Sequence, residues 1–357
     1  MPRGAKRTGA HLVEVVGAGS NPGQLTGWLY RPPSLRVGAP LVVALHGCTQ
    51  TAAGYDRGTG WSALAECEGF ALLLPEQARA NNPNGCFNWF TPDDIARTGG
   101  EAESIAAMTR SVLDEHALDR RRVYVTGLSA GGAMTAVMLA TYPELFAGGA
   151  IIAGLPYGCA SGVPEALARM RTPGGSADAL AGAVRAASGG HVGPWPSVSV
   201  WHGAADRTVD MANMDAIGRQ WLGVHGVDPA ACSTERGRGW THRTWRGMDG
   251  RIAVEDRLIE GMGHGVPLDP GGPDRLGVAG AYMLDVGLSS TAEIARSWGL
   301  LADARSTRRD PADPSVRIRP PAAASPANDD ASPRSAGATT EVGQVIENAL
   351  RAAGLMR

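Results

Sequence analysis

Val123-Tyr124-Val125-Thr126-Gly127-Leu128-Ser129-Ala130-Gly131-Gly132-Ala133-Met134 begins as a short apolar strand, turns sharply between glycines and continues as a helix that opens with small residues. This is the pattern of a nucleophile elbow, G-x-S-x-G, in which a tight strand-to-helix turn exposes a serine hydroxyl at the top of a sheet. Gly127 and Gly131 flank the serine where any side chain would crowd the turn. The helix that follows points its free N–H groups and the positive end of its dipole at the serine, which suits a developing oxyanion. The pentapeptide alone is weak in a chain with 49 glycines. The strand before it and the helix after it give it meaning.

Upstream, His11–Val16 and Leu25–Tyr30 alternate like half-buried strands, and the Gly, Ser, Asn and Pro between them predict an antiparallel pair. Arg31-Pro32-Pro33 ends the second strand, because proline cannot donate to a ladder. Ala39-Pro40-Leu41-Val42-Val43-Ala44-Leu45 is a continuous apolar run, as a central strand buried on both faces should be, and it ends in His46-Gly47-Cys48-Thr49-Gln50. A helix is expected over Gly60–Gly69, a buried strand over Phe70–Pro75, and an amphipathic helix over Glu101–Glu115. The polar stretch between the last two holds Cys86-Phe87-Asn88-Trp89-Phe90. A loop this long in a compact domain is more often functional than not.

Downstream, Phe146–Leu155 reads as the next strand. Residues 156–196 read as an excursion with two short helical patches, a small cap over the site. Ser197–Trp201 is a strand ending in His202-Gly203-Ala204-Ala205-Asp206, and Met211–Val224 is a helix. Thr241–Trp245 and Arg251–Ile259 alternate about Asp249-Gly250, a hairpin signal, and lead to Gly261-Met262-Gly263-His264-Gly265. The expected division is a disordered arm over 1–10, a catalytic domain over 11–303, a Pro-, Ala- and Ser-rich disordered linker over 304–340, and an amphipathic helix over 341–357.

The formal net charge of the 357 residues is −2, which argues against a nucleic-acid binder, and no stretch is long and apolar enough to span a bilayer. The five cysteines, Cys48, Cys67, Cys86, Cys159 and Cys232, have no C-x-x-C spacing, so no zinc site is suggested. The basic N-terminus is followed by no apolar segment, so no secretory signal is read.

Alternating strands and helices predict a mostly parallel sheet flanked by helices, whose ligands lie at the carboxyl ends of the strands. Ser129, Asp206 and His264 each follow such an end. Their order, serine then acid then histidine, is that of the α/β-hydrolase triad. Serine is a poor nucleophile until a histidine takes its proton, and the carboxylate holds that histidine in the right tautomer. Asp210 is the rival acid, four residues farther on. The loop after an early central strand supplies a second oxyanion donor in this fold, so the backbone N–H groups of Cys48 and Ala130 are the expected pair. Trp89, Phe87, Asn88 and His46 are the expected substrate contacts, while Glu101 and Trp201 read as structural.

With these segments in place, the chain resembles the polyhydroxybutyrate-depolymerase family of serine esterases, which includes feruloyl and acetylxylan esterases. The likeness rests on Leu45–Gln50, Cys86–Phe90, Gly127–Met134, His202-Gly203 with Asp206, and Gly261–Gly265, and spans about 25–268. It implies an α/β-hydrolase fold with the same Ser129, Asp206 and His264, an ester substrate and no metal or other cofactor. It also implies a disulfide between Cys48 and Cys86 and an extracellular or periplasmic enzyme, with a cytoplasmic one the alternative. The substrate implied is a hydroxyalkanoate polyester or oligoester. A feruloyl or acetyl ester of plant polysaccharide is the second reading, and a binding protein on an inactive hydrolase fold the third.

Overall fold

The computed structural model describes residues 7–8 and 12–301. Eleven strands form one sheet: β1 (Arg7–Thr8), β2 (Leu12–Val15), β3 (Thr26–Tyr30), β4 (Leu41–Leu45), β5 (Ala71–Glu76), β6 (Val123–Leu128), β7 (Gly148–Ile152), β8 (Ser197–Gly203), β9 (Cys232–Gly237), β10 (Trp240–Arg246) and β11 (Ile252–Ile259). Their order is β1-β2-β3-β5-β4-β6-β7-β8-β11-β10-β9. From β5 through β11 neighbouring strands run parallel, while β1–β3 at one side and β9–β10 at the other are antiparallel. Two short strands, β12 (Val266–Leu268) and β13 (Met283–Asp285), pair separately.

The helices are α1 (Ala52–Thr59), α2 (Trp61–Glu68), α3 (Gly100–Glu115), α4 (Ala130–Thr141), α5 (Val163–Arg171), α6 (Ala177–Ala187), α7 (Ala212–His225) and α8 (Ser290–Ser297). Strand periodicity divides them into two layers. Along β4, Leu41, Val43 and Leu45 join the apolar cluster built with α3, α4, α6 and α7, while Val42 and Ala44 join the one built with α1, α2 and α8. All five residues of β4 are buried, and each full burial of such a side chain is worth about 1.5–3 kcal/mol. The whole of α4 is buried too, which explains why its sequence, AGGAMTAVMLAT, is apolar or small all round rather than striped.

Helix α2 ends between Gly60 and Gly69, both in the left-handed conformation that lets glycine close a turn. The two helices of the 156–196 excursion are α5 and α6. Several elements are additional to the sequence reading: α1, the exposed edge strand β9, the β12–β13 pair and α8. Of the arm expected over 1–10, Arg7 and Thr8 are described, paired with Val13 and Leu12. The linker expected over 304–340 and the helix over 341–357 lie outside the described residues. Among the described residues no helix is long and apolar enough to cross a membrane.

Candidate active site

Ser129 links β6 to α4 with φ 57° and ψ −115°, and its N–H donates to Ile152 O on the neighbouring strand at 2.9 Å. Close packing fixes this corner. A Cβ on Gly127 would stand 2.4 Å from Gly131 O, and one on Gly131 would stand 2.3 Å from Leu45 O and 2.5 Å from His46 O. Only glycine at these two positions lets the first turn of α4 lie against its own strand and against the end of β4. The elbow and the His46–Cys48 loop are thereby brought together.

Strand β8 delivers Asp206 and the segment after β11 delivers His264. A Cβ on Gly203 would be 2.3 Å from Met262 O, and the Ala205 N–H donates to that same oxygen at 2.9 Å, so the two segments are clamped side by side. His264 Nδ1 lies 2.7 Å from Asp206 Oδ2. Asp206 Oδ1 accepts from the N–H groups of Thr208 (2.8 Å) and Val209 (3.0 Å). Burial works to raise this carboxyl, but the neighbouring His264 and His202 and the N–H bonds outweigh it and hold it below the usual carboxylate range. His264 Nε2 is buried with no hydrogen-bond partner among the described residues. The rival acid, Asp210, instead accepts from Ala212 N–H in the first turn of α7.

His202 is a residue to which the sequence reading gives no role of its own. It is fully buried behind Asp206, its Nε2 2.9 Å from Val209 O and 3.5 Å from Asp206 Oδ2. Tyr282 is a second such residue, its ring edge-on to His264 with centroids 6.1 Å apart. It lies in a stretch with no periodicity, so no sequence signal marks it. For His202, the strand end before a glycine was the signal.

Ala130 is the first residue of α4, so its N–H has no acceptor one turn back. Cys48 lies on the loop that Gly131 packs against. That loop is tied to the Trp89 loop by the Cys48–Cys86 disulfide and by the Thr49 N–H on Asn84 O at 2.7 Å. Cys67, Cys159 and Cys232 are free.

The expected substrate contacts divide. Trp89 and Asn88 line a cavity of about 470 Å³ that also includes Cys48 and Thr49. Phe87 and His46 do not, and this corrects the sequence reading: they are 0% and 1% exposed and their rings face one another, centroids 4.9 Å apart. His46 Nε2 accepts from Gln77 N–H (3.1 Å) and Nδ1 donates to Gly47 O (2.8 Å). Burial pushes its pKa down to about 4, so it is a neutral strut under the loop. Glu101 is structural, as its sequence context suggested. It is buried at the start of α3, accepts from Asn88 N–H at 2.8 Å and from the Gln77 amide, and burial raises its pKa to about 8. Trp201 is likewise a core residue.

A mostly parallel sheet, helices on both faces and a serine at the strand-to-helix elbow define an α/β-hydrolase fold. In a comparison with solved structures, the fold superposes on an acetyl xylan esterase from Aspergillus awamori with a TM-score of 0.69, at 26% identity over 81% of this chain and 99% of that one. The family described as esterase PHB depolymerase matches residues 25–246, and this chain belongs to it. Among curated relatives, poly(3-hydroxyalkanoate) depolymerase C of Paucimonas lemoignei is 44% identical over 81% of this chain and 70% of its own length. An acetylxylan esterase of Coprinopsis cinerea is 32% identical over 72% and 69%, and feruloyl esterase B of Thermothelomyces thermophilus 32% over 71% and 88%.

Proposed function

We propose that this chain hydrolyses carboxylic esters of the hydroxyalkanoate type, in polyesters or oligoesters, through an acyl-enzyme on Ser129. The observation that carries the reading is the 2.7 Å bond between His264 Nδ1 and a fully buried Asp206 carboxylate, at the same carboxyl edge of the sheet as the elbow serine. Ser129 Oγ attacks the ester carbonyl carbon while His264 Nε2 takes the hydroxyl proton. Asp206 holds the imidazole with Nε2 free to accept and stabilises the imidazolium that forms. The tetrahedral oxyanion accepts from the N–H groups of Ala130 and Cys48. Its collapse breaks the bond to the alcohol oxygen, which leaves with the proton from His264. A water then gives a proton to the same nitrogen and attacks the acyl carbon; collapse breaks the bond to Ser129 Oγ, which takes that proton back from His264, and the acid leaves.

The relative at 44% identity supports a hydroxyalkanoate ester over the plant-polysaccharide esters of the relatives at 32%. Residues 11–303 are the catalytic unit in this reading, with 156–196 as its cap. The Cys48–Cys86 disulfide supports an oxidising compartment, extracellular or periplasmic; finding the active protein confined to the cytoplasm would sink that part. The main test is a panel of hydroxybutyrate oligomers, p-nitrophenyl esters, methyl ferulate and acetylated xylan with wild type and Ser129→Ala. The oligomers should be the best substrates, and the substitution should lower kcat by several orders of magnitude. Equal turnover by the two proteins would favour a binding role on an inactive fold, and a preference for acetylated xylan or ferulate would favour the second reading.

A further inference from the structure

Strand β8 carries a second histidine into the core, four residues before the acid. His202 is buried opposite Leu258 of β11 in the parallel register, and the proposed proton transfers do not use it. Its Nε2 lies 2.9 Å from Val209 O. A carbonyl oxygen can only accept, so this nitrogen carries the ring proton and the tautomer is fixed. Asp206 Oδ2 lies 3.5 Å from the same nitrogen, longer than an ordinary N–H···O bond, where it feels the positive end of the N–H dipole. Burial lowers the pKa of this ring below the ordinary histidine value, so it donates as a neutral imidazole. Val209 joins the two sides through its own backbone. Its carbonyl accepts from His202, and its N–H donates to Asp206 Oδ1 at 3.0 Å, while Oδ2 faces His264 Nδ1 at 2.7 Å. Residues 204–209 have already left the strand. A path of bonds thus runs from the rigid end of β8 through His202 and Val209 to the acid and on to the base.

We infer that His202 is a positioning residue for ester hydrolysis: it ties the 206–209 turn to the end of β8 and so sets the direction from which the Asp206 carboxylate meets His264. The inference rests on the proposed function and deepens it. A neutral donor suits this place. A cationic histidine beside Asp206 would share its negative charge with His264 and weaken the stabilisation of the imidazolium that forms during turnover. Without any donor here, the buried Val209 carbonyl would lose its bond to the ring, which is costly in the core, and the turn would be free to shift.

The test is steady-state kinetics on p-nitrophenyl acetate with the full chain, beside thermal melts. His202→Leu removes the donor and should lower kcat about 10²-fold with KM little changed, the order that displacing a reacting group by about 1 Å costs. His202→Gln can place an amide N–H where Nε2 stands and should recover most of that loss. His202→Asn, whose amide reaches only as far as Nδ1, should not; Nδ1 has no partner among the described residues. Because His202 acts through the acid, adding His202→Leu to Asp206→Asn should cost less than about threefold further, as residues that act as a unit are not additive. If His202→Leu melts below the assay temperature, the Gln and Asn substitutions carry the comparison. Folded variants whose melting temperature falls while kcat holds would make His202 merely structural and overturn the inference. An undiminished loss in the Asp206→Asn background, or His202→Asn as active as His202→Gln, would overturn it too. Wild-type kcat in Asp206→Asn alone would instead overturn the proposed mechanism on which the inference rests.

Discussion

Asp206 shows how much one side chain carries. It is fully buried, yet three donors and a second histidine surround it, so it stays ionised where burial alone would neutralise it. Asp206→Asn keeps the size and can keep the Thr208 and Val209 bonds, but it removes the negative charge facing His264 and favours the wrong tautomer. The expected result is a fall in kcat of about 10⁴-fold with a nearly unchanged melting temperature, read by ester kinetics beside calorimetry. A loss smaller than tenfold would remove Asp206 from its role. The choice between Asp206 and Asp210 was legible as a strand-end argument; of the two, it is Asp206 that lies 2.7 Å from His264 Nδ1. The placement of His46 and Phe87 was not legible, because adjacency to a motif in sequence says nothing about which way a side chain faces. Both turn inward, where Phe87 fills the core and His46 bonds Gln77.

At the scale of elements, the loop bearing Trp89 is held from beneath by the first residues of α3. Glu101 is the pin, since it binds Asn88 N–H and the Gln77 side chain, and the Gln77 amide in turn donates to Cys86 O at 3.0 Å. Its carboxyl titrates near 8 when folded and near 4.3 when unfolded. The folded state therefore binds the extra proton between those values, so this group makes stability fall as pH rises through that window, at up to ~1.4 kcal/mol per pH unit. Glu101→Gln should flatten the decline, with denaturant midpoints measured from pH 5 to 9 as the check; an unaltered slope would contradict it. The elements read correctly from sequence are those with strong signals: the all-apolar β4, the amphipathic α3, the β10–β11 hairpin about Asp249-Gly250. Those that escaped have weak ones. Helix α1 is AAGYDRGT, with two glycines of low helix propensity. Strand β9 is exposed along its whole length and so lacks alternation, and β12 and β13 are three residues each.

For the whole molecule, the sheet does two separate jobs. Its parallel middle, β4 through β8 and β11, sets Ser129, Asp206 and His264 at one edge. Its antiparallel margins close the sheet off, and at β9 the outermost strand carries the exposed Glu235 and Arg236, charges that discourage a second copy from adding its own strand. The order of the central strands was not legible, because long-range pairing depends on which faces must be covered by which helices. The carboxyl-edge position of the site was legible, since it follows from parallel strands alone.

The backbone of Ser129 adds one consequence. Its φ of 57° and ψ of −115° are the mirror image of ordinary extended chain, a region that glycine enters freely and that costs an L-residue on the order of 1–3 kcal/mol. The fold withstands this because Gly127, Gly131 and the bond to Ile152 leave the corner no other shape. Activity and stability therefore pull in opposite directions at this residue. Ser129→Gly should abolish turnover and raise the melting temperature, since it relieves a conformation that only the chemistry requires; an inactive protein that melts lower than wild type would refute that trade-off. On this account Ser129→Gly exchanges the proposed nucleophile for stability.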